Sequence, residues 1–188
     1  MLMATTKLEA INIILASIGA DPVNTIDAEA DVDVANALRI LDYTSRNIQR
    51  KGWDYNKCEI ELKPDLNTKK IKINPTIISF RATDGGQYST RSGFLFDMVN
   101  QTNEFEKPVT AEITVFLDFE DLPDAFKNYI AIKAALDYQM QYMADASVSQ
   151  DLQQQFMEAQ SDIVDYDMHM GSYNMLQLTN IASTLQRS

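Results

Sequence analysis

The segment from Thr6 to Ile26 constrains the fold more than any other. Thr6, with Glu9 three positions on, has the form of a capping box that satisfies the first free amides of a helix. Leu8, Ile11, Leu15 and Ile18 then recur at helical spacing and define one apolar face. Gly19 supplies a left-handed stop, and Asp21-Pro22 bars continuation. Nothing in this stretch is chemically reactive. It reads as a docking helix with a shaped exit.

The same logic organises the rest of the chain. A second helix is expected from about Asp31 to Lys51, with Asp31 and Asp33 at its positive start. Val34, Leu38, Leu41 and Ile48 face inward, and Gly52 closes it just before Trp53. From about Asn56 to Leu117 the period changes to two. Cys58, Ile60 and Leu62 alternate with charged residues, as do Ile71 and Ile73, and Ile113, Val115 and Leu117 alternate with Thr114 and Phe116. With Asp84-Gly85-Gly86 as a turn, this predicts a compact antiparallel sheet or small sandwich, with Cys58 on its inner face.

Helix returns near Pro123, behind the acids Asp118, Glu120 and Asp121, and runs to about Met143. Phe126, Tyr129, Ile130, Ile132, Ala134, Ala135, Leu136, Met140 and Met143 surround it, which predicts a central position in a bundle. Ser147 and Gln150 form another capping box, opening a helix to about Met168. Leu152, Phe156, Ala159, Ile163, Tyr166 and Met170 make its packing seam, Gly171 ends it, and 172–188 is read as an extended tail. The expected class is α+β: a discontinuous helical bundle of residues 1–55 and 118–188, with 56–117 as an inserted antiparallel β domain.

At 188 residues the chain can bury a sizeable core, and 45% apolar with 23% charged residues is ordinary for a soluble globular protein. No run is long enough to span a bilayer, so no membrane anchor is expected, and no signal peptide is visible. A single cysteine precludes an internal disulfide and fits synthesis in a reducing cytoplasm. The net charge of −11, from 27 acids against 16 bases, argues against tight general binding of nucleic acid, which needs Lys and Arg at phosphates.

Catalytic equipment is sparse. His169 is the only histidine and Cys58 the only cysteine, so a Cys–His nucleophile needs a strand to meet the end of a distant helix. Together they cannot make a zinc site without added carboxylates. Asp27, Glu29, Asp31 and Asp33 recur at the spacing of a calcium loop. The turn glycine and the closing acid are replaced by Val32 and Leu38, so no metal or cofactor is expected. Asp84, Asp97, Glu104 and Glu106 are the candidates for a glycosidase pair, which requires two carboxyls held roughly 5–10 Å apart across a sugar. Trp53 and the group Tyr173, Met175 and Leu176 each follow a glycine read as a helix stop. They either fold back onto the bundle or anchor a neighbouring subunit.

Five islands carry a family resemblance. They are Asn12-Ile13-Ile14-Leu15-Ala16-Ser17-Ile18-Gly19 with Pro22-Val23-Asn24-Thr25-Ile26; Arg50-Lys51-Gly52-Trp53 with Asn56; Arg91-Ser92-Gly93-Phe94-Leu95-Phe96-Asp97; Leu122-Pro123-Asp124-Ala125-Phe126 running into Tyr129-Ile130; and Gly171-Ser172-Tyr173-Asn174-Met175-Leu176. In order and spacing they resemble the tail tubular protein A family of short-tailed bacteriophages. The resemblance implies a structural protein of the virion tail, synthesised in the host cytoplasm and lacking enzymatic activity. It implies a ring, usually of twelve copies, that joins the portal protein to the tail nozzle and supports the tail fibres. DNA passes through such a ring without specific binding. The candidate subunit interface is then Trp53, Tyr173, Met175 and Leu176. The alternatives are a tail-associated polysaccharide hydrolase using paired carboxylates, and an unrelated cytosolic scaffold.

Overall fold

The computed structural model describes residues 6–27, 29, 31–142 and 146–177, with the backbone alone for 146–149 and 171–177. The chain divides into two compact units, Met1–Ile48 with Asp118–Ser188, and Gln49–Leu117. Helices and small antiparallel sheets make it an α+β protein.

In the first unit, α1 (Lys7–Ala16) starts on the predicted capping box. The Glu9 amide donates to Thr6 Oγ1 at 3.2 Å, and the Thr6 amide donates to Glu9 Oε2 at 3.0 Å. It ends on paired bonds from the Ala20 amide to the Leu15 carbonyl and from the Gly19 amide to the Ala16 carbonyl, the Schellman arrangement. Beyond Pro22 the chain turns back, and the Asn12 carboxamide bonds both backbone groups of Val23, at 3.0 and 2.8 Å. α2 (Val32–Gln49) is capped by Asp31, whose Oδ1 accepts from the Asp33 amide at 2.8 Å. Lys7 and Asp42 join α1 to α2 by a 2.9 Å ion pair.

The long α3 (Asp124–Tyr142) is packed by both α1 and α4 (Ala146–Gln177). Phe126, Tyr129, Ile130, Ile132, Ala134, Ala135 and Leu136 are all buried, as a central helix requires. Met140 departs from the expectation and is 65% exposed. It shares the face of the Lys133–Asp137 ion pair, the side of α3 left to water. Met143 lies outside the described residues.

On α4, Leu152, Ala159 and Ile163 are buried. Phe156 stacks on Tyr129 at 5.2 Å between ring centres, and Tyr166 meets Phe126 edge-on at 5.8 Å. Met170 is not in this seam: Phe126 belongs to the first turn of α3, so a residue one turn past Tyr166 has outrun its partner helix. The helix is already formed at Ala146, ahead of the predicted Ser147 cap, and it continues through Gly171 to Gln177. A mid-helix glycine costs only about 1 kcal/mol relative to alanine, too little by itself to end a long helix. Residues 178–188 of the expected tail lie outside the described residues.

The second unit contains a three-stranded antiparallel sheet ordered β1 (Lys57–Leu62), β5 (Val109–Val115), β2 (Ile77–Ala82). The last strand therefore sits at the centre, pairing Ile60 and Ala82 with Ala111, and Phe80 with Ile113. A hairpin of β3 (Tyr88–Arg91) and β4 (Phe94–Asp97) is joined by Ser92 and Gly93 at φ of 50° and 79°, the signature of a type I′ turn. Leu62, Ile71, Ile73, Leu95, Phe105, Val109, Ala111 and Ile113 form the core. Ile71 and Ile73 are buried as their alternation predicts, yet they flank a single bridge, Lys72 to Phe94, rather than a full strand. Cys58 is exposed, contrary to the inward face expected for it. Burial along β1, an edge strand, rises only toward Leu62, where the core lies, and Cys58 is at the other end.

Candidate assembly surface

Trp53 is positioned by the bottom of the second unit. Gly52 ends α2 at φ +74°, and a Cβ there would come within 2.6 Å of the Lys57 side chain and 3.2 Å of Thr114 Oγ1. The left-handed backbone favours glycine at that reversal. Trp53 then opens a turn closed by Asn56, whose Oδ1 accepts the Trp53 amide at 2.8 Å. Asn56 is itself buried, and its Nδ2 donates to the carbonyls of Gln49 and Val115 at 3.0 and 3.1 Å. Gln49, fully buried, donates from Nε2 to the Leu117 carbonyl at 2.9 Å and accepts the Leu117 amide at 2.8 Å. Two carboxamides thus hold the chain segments that begin and finish this unit, and the half-buried Trp53 is carried on that frame.

Tyr173, Met175 and Leu176 fall in the last turns of α4, where only the backbone is described. The structure therefore does not place them behind a helix-ending glycine as Trp53 is, and it does not bring the four candidates together as one described cluster.

Two features escaped the sequence reading. On α4, Met157, Val164 and Met168 are 62%, 45% and 60% exposed and lie seven and four positions apart, a stripe on the side away from the buried seam. The spacing was visible in the sequence but was overshadowed by the stronger seam beside it. On the hairpin, the Arg91 guanidinium sits 3.7 Å over the Phe96 ring and Lys70 lies 5.9 Å from the Phe94 centre. No spacing rule links those pairs.

Charge is partitioned as well. Gln49–Leu117 holds 10 Lys and Arg against 9 Asp and Glu, leaving 6 against 18 for the first unit, or +1 and −12.

The reactive candidates lie on different elements. Cys58 belongs to the second unit and His169, on α4, to the first, and both are exposed. Asp27 and Asp31 accept backbone amides of Glu29 and Asp33, so they build the loop before α2. Among the described residues no group of three metal-ligating side chains occurs. Asp84 accepts the Gly86 amide and the Tyr88 hydroxyl, both at 2.9 Å. Asp97 accepts the amides of Asn100 and Val99 and the Asn100 carboxamide. These bonds, Asn100 foremost, hold its carboxyl below the usual range, opposite to what a general acid needs. Glu104 and Glu106 are exposed, with Glu106 paired to Lys69. No described helix is long and apolar enough to cross a membrane.

A family model described as tail tubular protein matches residues 8–173. Over 126 residues the chain is 29% identical to tail tubular protein A of Klebsiella phage KP34, an alignment covering 66% of this chain and 67% of that protein. The match begins in the capped first helix, passes through the whole β unit and ends in α4, and so the chain belongs to the tail tubular protein family, structural proteins of bacteriophage tails.

Proposed function

We propose that this chain is the head-to-tail adaptor of a short-tailed phage: a ring-forming subunit that joins the portal to the tail nozzle, supports the tail fibres and leaves a passage for DNA. Family membership across both units carries this reading. The site chemistry agrees with it, because three of the four carboxylates singled out in the β unit, Asp84, Asp97 and Glu106, are occupied with turns and an ion pair. Trp53, with Tyr173, Met175 and Leu176, is assigned to contacts with neighbouring subunits. The −12 charge of the helical unit suits a passage that must let DNA slide, since walls poor in Lys and Arg offer no counterion-release binding.

Phage deleted for this chain should produce filled heads without tails, and supplying the chain in trans should restore complete particles. Tails that stay joined to filled heads in the deletion overturn the proposal. Purified protein should form annular particles by electron microscopy, and these should elute from immobilised duplex DNA at low salt. Tight retention contradicts the passage argument.

A further inference from the structure

The exposed apolar stripe of α4 and the half-buried aromatic face of β4 carry charges of opposite sign beside them. Beside the Met157–Val164–Met168 stripe, α4 presents Asp151, Glu158, Asp162 and Asp165, all exposed and spaced so that they line one adjoining face of the helix. Asp151, Asp162 and Asp165 enter no ion pair among the described residues. On the second unit, Phe94 and Phe96 project from β4 on the side opposite the buried Leu95, because neighbouring strand residues alternate. Lys70 and Arg91 lie over their rings, and the exposed Lys72 bridges to Phe94. Lys69 is neutralised by Glu106, whereas Lys70, Lys72 and Arg91 enter no carboxylate pair among the described residues.

We propose that the methionine stripe and acid row of α4 receive the cation–aromatic face of the β3–β4 hairpin from a second copy of this chain. Each half supplies what the other lacks: apolar area on both sides, acids on one and bases on the other. That both halves occur in one sequence favours a second copy over a foreign partner. The contact joins two different patches, so it is head-to-tail and repeats around a ring when the rotation closes, whereas two like patches would repel. This inference rests on the adaptor reading and names the contact that would build its ring.

The test uses the full chain, with self-association followed by sedimentation velocity. D162K/D165K reverses the helix face and K70E/K72E reverses the hairpin face. All four positions are exposed or half-buried, and circular dichroism checks that the fold is kept. Each variant alone should associate at least about tenfold more weakly than the native chain. An equimolar mixture should recover association, because every reversed helix face then meets a reversed hairpin. Native-like association of either variant alone, no recovery on mixing, or a native chain that stays monomeric overturns the proposal. The deletion experiment above is independent: variant chains that still yield tailed particles sink this contact and leave the adaptor reading standing.

Discussion

The side chain of Gln49 hydrogen-bonds both the amide and the carbonyl of Leu117, at 2.8 and 2.9 Å across 68 positions of sequence. A carboxamide presents a donor and an acceptor side by side, so it can stand in for one backbone unit of a paired strand. Asn12 does the same for Val23, and Asn56 spans Gln49 and Val115. These amides hold irregular chain where no ladder reaches it, satisfying backbone groups that would otherwise be buried unpaired.

Gln49→Leu should therefore unfold the β unit more easily. It keeps the volume but strips both partners from Leu117, and each unsatisfied backbone group costs about 1–3 kcal/mol. A loss of about 2–6 kcal/mol is expected in urea unfolding. Amide exchange at Leu117 should accelerate in step.

The β3–β4 turn makes a prediction of opposite signs. Ser92 stands at φ 50° and Gly93 at φ 79°. Asn tolerates the left-handed region better than Ser, so Ser92→Asn should raise stability by about 0.5 kcal/mol. Gly93→Ala has open space around its new Cβ, yet it should cost about 1 kcal/mol through backbone strain alone. Thermal unfolding of the pair measures both.

Alkaline stability follows from two tyrosines. Burial, then the hydrogen bond to Asp84, pushes the Tyr88 hydroxyl up to about 12, and burial with the Asp33 charge does the same for Tyr138. Free tyrosine ionises near 10, so between the two values the unfolded chain has released protons that the folded chain retains. Their stabilising contribution is complete below pH 10 and is lost as pH rises to about 12. The urea midpoint should fall steeply across that window, and Tyr88→Phe should shallow the fall. A midpoint independent of pH there contradicts the assignment.

Trp53 separates assembly from stability. It is carried half-buried on the Gln49–Asn56 frame, and a subunit contact is proposed for it. Trp53→Ala should abolish annular particles while leaving monomer melting nearly unchanged. A core tryptophan would instead lose roughly 3–5 kcal/mol of stability, and that outcome removes it from the interface.

Local chemistry was readable from residues alone. The Thr6–Glu9 box, the Gly19 and Gly52 stops, the Asp31 start of α2 and the Leu152-to-Tyr166 seam all act over one or two turns, where the next few residues decide the conformation. Ordered islands also carried the family. The tertiary structure decided the rest, because those outcomes depend on neighbours distant in sequence. Alternation identified β5 but could not put it between β1 and β2, and it could not say that an edge strand leaves Cys58 uncovered. Gly171 carries the same local signal as Gly52. One is passed over within a long helix, while the other turns the chain at φ +74°, close against the Lys57 and Thr114 side chains. Gln49, Asn12 and Asn56 read as ordinary polar residues until folding brought a backbone to meet each carboxamide.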